Sequence, residues 1–427
     1  MDLYDLANPA ERLLADKADA MRAPLGGSME LLPLCNMDCK MCYIRLSRQE
    51  MEQRGRMLSC DEWLNIAKDA KDNGVLYLLL TGGEPLIYPE FDRLYTTLLD
   101  MGFILTVNTN GTLIDEETAD LFARHPCKRI NVTLYGTDDD TYARLCGNPE
   151  GFSQVMRAAG LLKKKGVIFR FNCSVTPENV SQIREIAAIA KEFNVPLEAC
   201  NYMFPPVRKG IKETGSCAIN SAGKGQKEAK SRAIPPAGEG MEGAGRGVPE
   251  PVRKESEETG ICRMHPPDAA RSQLEIFSCR VNRGEFLAGV MNTMRLLERP
   301  VDNTYKGLPC RAGRSGFWMN WKGEMVPCGM FEEPGISLLE HSFGECWDYI
   351  VSETAKIRYC EDCVKCPKRG ICKSCGAACL TETGSCSGKP EYLCEMTDEL
   401  IRIMYGYLPD EEKEKYREIL EGCGFKF

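Results

Sequence analysis

The sequence predicts an α/β protein in which a partial barrel of six β–α units is followed by a small cysteine-rich domain. Three observations carry this reading. Strand-like and helix-like stretches alternate from residue 29 to about 203, the pattern of a parallel sheet covered by helices. Eight of the 23 cysteines crowd between Cys360 and Cys394. Between these regions, residues 208–262 are rich in Gly, Ser, Ala, Pro, Lys and Glu, with almost no large apolar residue after Ile211. Such a stretch buries too little surface to offset its own ordering, so a flexible insertion is expected. The predicted organisation is an N-terminal extension (1–28), a core barrel (29–207), the insertion (208–262), a connecting helical segment (263–309), the cysteine-rich domain (310–395) and a C-terminal helix (396–427).

The strands are expected at 29–34, 75–80, 103–108, 129–135, 167–175 and 196–202, each an apolar or alternating run followed by a polar, helically periodic one. The first helix starts at a capping box, Ser59 with Glu62 three residues on. Later helices are expected near 89–101, 115–124, 152–165 and 178–193. Gly74, Gly102 and Gly166 each fall between a helix and the next strand, where a left-handed cap is needed. Beyond the insertion, a helix begins at Pro267. Gly316 to Cys328 reads as a hairpin turned at Lys322-Gly323, and a polar amphipathic helix spans about 396–421.

Composition narrows the function. The 427 residues are 43 % hydrophobic and 27 % charged, with a net charge of −8. Nothing in that balance favours bulk binding to nucleic acid or an anionic membrane. No run of about 18 apolar residues suggests a membrane span. The acidic N-terminus lacks a signal-peptide pattern, so a cytoplasmic location is expected. There, this many cysteines point to metal or redox chemistry rather than disulfides. Three histidines (His125, His265, His341) are too few for a histidine-rich metal site.

The chemistry starts at Cys35, Cys39 and Cys42. A Cys-x3-Cys-x2-Cys loop directly after an apolar run can hold three corners of a [4Fe–4S] cube, leaving one iron open where electron-transfer clusters usually have a fourth thiolate. A zinc half-site is the competing reading, but zinc favours paired Cys-x2-Cys knuckles and this loop has one. One β–α unit later, Thr81-Gly82-Gly83-Glu84-Pro85 closes the second apolar run.

Together these motifs resemble the radical S-adenosylmethionine (SAM) enzymes. The resemblance implies a laterally open, TIM-like (β/α)6 barrel with its chemistry at the C-terminal ends of the strands. It also implies that the open iron chelates SAM and that Gly82, Gly83 and Glu84 hold its amino group. The family's frequent aromatic residue before the third cysteine is Met41 here, an apolar and adaptable replacement. Asn110 at the end of strand three, Thr133 at the end of strand four and Arg144 just beyond are the further SAM contacts that the resemblance implies. Their ordinary readings are a turn former, a strand residue and a solvated helix residue. Asn172 and Ser174 share one face of strand five by period two.

The second cysteine field resembles the SPASM extension of radical SAM proteins. Cys310, Gly323 and Cys328 match its first part. Cys363, Cys366 and Cys372 match the x2 and x5 gaps of the second, but position 376 is Gly, and the Cys-x3-Cys pair is Cys375 and Cys379. This departure leaves open which three of Cys363, Cys366, Cys372 and Cys375 share a cluster. By resemblance, Cys310, Cys328 and Cys379 belong to a first auxiliary [4Fe–4S] cluster, and the others with Cys394 or Cys386 to a second. Structural zinc competes here too, since spacing does not separate it from iron–sulfur ligation.

The resemblance implies a SAM-cleaving oxidoreductase that modifies a ribosomal peptide or a protein residue, for example by crosslinking, with auxiliary clusters handling electrons. A flavodoxin- or ferredoxin-type reductant is implied as partner. Only 28 residues precede the first strand, too few for an N-terminal peptide-binding winged helix. Recognition then falls to a separate protein or to direct leader binding. Formylglycine formation, as in anaerobic sulfatase maturases, and small-molecule modification are the alternatives within the enzyme class. A non-catalytic iron–sulfur or zinc protein is the alternative outside it. No residue is assigned as catalytic acid or base.

Overall fold

The computed structural model describes residues 8–205, 262–301, 308 and 310–426. Six parallel strands run β1 (Gly26–Glu30), β2 (Tyr77–Thr81), β3 (Ile104–Thr109), β4 (Arg129–Thr133), β5 (Phe169–Ser174) and β6 (Leu197–Cys200), each paired with the next. Helices Cys60–Asp72, Phe91–Asp100, Glu116–Arg124, Gly151–Lys164 and Ile183–Phe193 cover them, close to the expected spans. The three glycines ahead of β2, β3 and β5 take φ values of 91°, 84° and 71°, as the capping argument required.

The first strand ends earlier than the apolar run suggests. Residues 31–34 leave the β1–β2 ladder to meet the turn after β2: Gly83 N–H donates to the Leu32 carbonyl (2.7 Å) and Glu84 N–H to that of Leu34 (2.9 Å). The predicted C-terminal helix is two helices, Glu391–Gly406 and Asp410–Gly422. Pro409 ends the run, because proline disfavours helical geometry in the residue before it. The insertion expected at 208–262 lies, except for Cys262, outside the described residues.

The hairpin turned at Lys322-Gly323 is present, as β7 (Gly316–Met319) and β8 (Glu324–Val326), with β9 (Ile336–Ser337) beyond. β7 also pairs in parallel with β1, Gly26 opposite Gly316. The sheet thus has nine strands in the order β6-β5-β4-β3-β2-β1-β7-β8-β9, and the C-terminal region grows from its edge.

One face of this sheet is apolar. Met29, Leu78, Leu80, Leu105, Val107, Ile130, Val132 and Phe171 pack under the helices in the main core. The other face is polar in the middle, where Asn131 Nδ2 donates to Asn108 Oδ1 (2.7 Å) and the Trp318 indole donates to buried Glu30 (2.9 Å). At the N-terminal ends of the strands, Tyr77 and Leu79 pack with Ala15 and Ala18 of the helix Pro9–Met21. Polar side chains are thereby confined towards the strands' C-terminal ends.

Candidate active site at the ends of the strands

The cysteine loop is held at both flanks. Asp38 and Lys40 N–H groups donate to the carbonyls of Cys146 and Leu145 (2.8 and 2.9 Å), docking the loop on the helix Asp139–Cys146. Arg45 pairs with Asp38 (2.6 Å), and Lys40 with Glu178 (2.6 Å). On the other side, the Gly82-Gly83 turn lies flush against the loop's entry. A Cβ on Gly83 would stand 2.0 Å from the Leu34 carbonyl oxygen, so only glycine fits.

Glu84 is fully buried. Its carboxylate accepts from the Thr109 hydroxyl (2.7 Å), the Asn110 N–H (2.7 Å) and the Leu86 N–H (3.1 Å). Among the described residues no cationic side chain pairs with it. Burial therefore pushes its carboxyl up to about 7, although all three hydrogen bonds act the other way. A buried carboxylate surrounded by neutral donors is a receptor for an ammonium group.

Asn110 ties this carboxylate to the loop. Beyond its backbone contact with Glu84, its side-chain amide donates to Asn36 Oδ1 (2.8 Å) and lies 3.7 Å from Cys35 Sγ. Its own oxygen accepts from Thr112 N–H and hydroxyl. Thr133 sits one strand over, its hydroxyl 3.3 Å from the Thr109 carbonyl. Arg144 stands apart: its side chain is 54 % exposed and reaches Glu178 at 3.6 Å, the carboxylate that also holds Lys40.

The three loop thiols suit a cationic iron–sulfur centre chemically. Cys35 is raised well above the free thiol, first by burial and then by repulsion from Cys39 and Glu84. Cys42 is raised by burial and then by Cys39. For Cys39 the largest cause is a hydrogen bond with the Cys146 thiol, followed by burial. Iron would remove the cost of placing thiolates together in this setting. Among the described residues, no three ligand-type side chains converge as they would around a bound ion. The fit rests on the donor set and on the glycine cradle beside it.

The second field separates into two groups. Cys328 is pushed up to about 12 by burial, with repulsion from Cys310 and Cys375. Cys375 in turn feels Cys310 after its own burial. Cys363, Cys366, Cys372 and Cys394 line one small cavity together with Lys368 and Arg369. Cys375 thus lies within electrostatic reach of Cys310 and Cys328, and of Cys372 as well. Cys379, which the resemblance implies for the first cluster, is fully buried beside Cys363. The reason is helical geometry: Cys375 caps the helix Gly376–Thr383 and Cys379 lies one turn inside it.

Three contributors escaped the sequence reading. Cys146 is the thiol against Cys39. Tyr135 is half-buried beyond β4, its phenol raised first by desolvation and then by Cys39, Cys146 and Cys42, while a hydrogen bond with Ser174 lowers it. The Glu30–Trp318 contact joins the barrel face to the C-terminal hairpin. Period-two alternation on the strands was the available signal for Glu30 and Tyr135. None existed for Cys146, which reads as an ordinary helix residue.

Comparison with known proteins agrees with this geometry. Residues 29–190 match the model of the radical SAM superfamily. An AdoMet-dependent heme synthase of Nitratidesulfovibrio vulgaris is 29 % identical over 157 residues, 37 % of this chain and 42 % of the relative. The PqqA peptide cyclase of Granulibacter bethesdensis is 26 % identical over 168 residues, 39 % of this chain and 44 % of the relative. The match thus spans less than half the length of these curated relatives. Two solved structures share the fold across both regions. Streptococcus suis SuiB bound to its precursor peptide SuiA has a TM-score of 0.59 at 19 % identity, covering 91 % of this chain and 82 % of that one. Native anSMEcpe with AdoMet and the Cp18Cys peptide has a TM-score of 0.56 at 17 % identity, covering 94 % and 99 %.

Proposed function

We propose that this chain, whose residues 29–190 match the radical SAM superfamily, is a radical SAM protein with a SPASM-type C-terminal cysteine region, and that it cleaves SAM reductively to begin radical modification of a peptide. The observation that carries this is the Gly83–Glu84 turn hydrogen-bonded to the cysteine loop, with Glu84 buried and lacking a cation among the described residues. A [4Fe–4S] cluster held by Cys35, Cys39 and Cys42 would supply the one-electron reduction of a SAM sulfonium that generates a hydrogen-abstracting radical.

This chain's residues do the rest. Cys35, Cys39 and Cys42 hold three irons. Glu84 accepts the SAM ammonium through a charge-assisted hydrogen bond. Asn110 fixes the distance between that carboxylate and the loop, and Thr133, one strand over, is the proposed partner of a SAM hydroxyl. Arg144 takes the SAM carboxylate once it leaves Glu178. Cys310, Cys328 and Cys375 would hold one auxiliary iron–sulfur group, and Cys363, Cys366, Cys372 and Cys394 the other, either of which would supply an electron acceptor for the substrate. A flavodoxin- or ferredoxin-type protein is the proposed reductant.

A peptide substrate is supported by relatives whose names specify one, the PqqA peptide cyclase among them, and by the likeness of fold to SuiB in complex with SuiA. Formylglycine formation is the second reading; it needs a base for a substrate thiol or hydroxyl, and no residue is assigned that role.

Anaerobic reconstitution tests the core. Wild type with SAM and dithionite should form 5′-deoxyadenosine, and the Cys35/Cys39/Cys42 triple-Ala variant should form none. Iron should fall from about twelve to about eight per chain for three [4Fe–4S] clusters. Continued SAM cleavage by the variant, or a loss of all iron with zinc retained, would remove this reading.

A further inference from the structure

Beside the barrel lies a cavity of about 690 Å³, within the range of ligand sites. It is bounded by the hairpin on one side and by Leu46 and Arg54, downstream of the cysteine loop, on the other. Trp318 belongs to both spaces. Its ring lines the cavity, and its indole N–H reaches Glu30 on the barrel's polar face (2.9 Å). Val326 and Gly329, which flank Cys328 closely in the chain, line the same cavity. Trp318 thus forms the wall between this space and Glu30 of the barrel's polar face, and Cys328 lies in the chain between two residues of its lining.

Its walls mix apolar and charged groups. Trp318, Val326 and Phe331 give the apolar surface. Lys322 pairs with Glu324 (2.8 Å), and Arg54 stands 4.0 Å from Glu332. Glu333 is exposed at the rim, where its carboxylate accepts from the Gly335 N–H (3.0 Å). Among the described residues no cation pairs with it, so the cavity carries one unbalanced negative charge.

Resting on the peptide reading above, we propose that this cavity seats the segment of the peptide substrate flanking the reacting residue, and that Glu333 selects a basic side chain there. A chain entering the barrel along Trp318 would lay apolar side chains on Trp318 and Phe331 and a lysine or arginine on Glu333. Salt and net charge tune such a contact: an exposed ion pair is worth up to about 1 kcal/mol, about fivefold in affinity.

The test uses the full-length reconstituted protein and two probes, acetyl-(Ala-Lys)3-amide and acetyl-(Ala-Glu)3-amide, measured by calorimetry. Wild type should bind the lysine peptide in preference. Glu333→Gln should weaken it about fivefold, and Glu333→Lys should transfer the preference to the glutamate peptide. A lysine peptide carrying benzoylphenylalanine should photocrosslink within residues 318–337. Lysine-peptide binding that ignores Glu333, or crosslinks confined to other surfaces, overturns the site while leaving a peptide substrate standing. Failure of both probes to bind also overturns it. Formation of 5′-deoxyadenosine without modification of any peptide would instead remove the peptide reading itself.

Discussion

Glu84 takes all three of its hydrogen bonds from uncharged donors, and this makes it titrate where an ordinary carboxylate does not. Its carboxyl is raised from 4.5 to about 7 by burial. Between these values the folded protein holds a proton that the unfolded chain has released. Stability from this group is therefore complete below about pH 4.5 and is lost as pH rises through 7, an effect of roughly 3 kcal/mol at most. Denaturant unfolding of the iron-free, SAM-free protein should show stability falling from pH 5 to 8, and Glu84→Gln should flatten that slope. An equal slope in the variant would mean that the proton sits elsewhere. Added SAM should oppose the fall, since its ammonium favours the charged carboxylate. The motif Gly82-Gly83-Glu84 was legible because three residue types in a row encode one turn. The receptor it builds was not, because Thr109 and Asn110 come from the end of another strand, 25 and 26 residues on.

At the scale of elements, local signals were read where they were strong. The Ser59–Glu62 box is formed, with Glu62 accepting from Ser59 N–H (2.8 Å) and Ser59 Oγ accepting from Glu62 N–H (3.3 Å). Ser59→Ala should cost about 1 kcal/mol, visible as a lower denaturation midpoint at unchanged slope. No shift would mean that the Arg56–Glu62 pair (2.6 Å) alone holds this helix start. The same box at Ser47 and Glu50 opens the helix Arg48–Arg54, which went unread. Seven residues carry too little apolar periodicity to announce a helix. That short helix matters for the site, because it follows the cysteine loop and brings Arg54 to the cavity beneath the hairpin.

Over the whole molecule, what escapes the sequence is how distant parts are joined. The barrel and the cysteine-rich region share a sheet through Gly26 and Gly316, a pairing across 290 residues with no local signature. A second joint is a single, partly buried carboxylate. Glu382, on the helix Gly376–Thr383, accepts from Arg263 Nη1 (2.5 Å) and from the Tyr202 hydroxyl (2.7 Å). Arg263 in turn stacks on Tyr392 at 4.0 Å. Tyr202 follows the last barrel strand, so this contact fixes the barrel's far edge to the helix that Cys375 caps. Removing one member of this partly buried pair leaves the other charge poorly compensated and costs about 1–3 kcal/mol. Glu382→Ala should therefore lower the thermal midpoint and split one unfolding transition into two, with limited proteolysis releasing the C-terminal region first. The Cys35/Cys39/Cys42 loop has its own anchors on the helix Asp139–Cys146 and should still take up its own iron. A single transition at the wild-type temperature would show that the shared sheet alone binds the two regions, and that the Glu382 joint contributes nothing to their coupling.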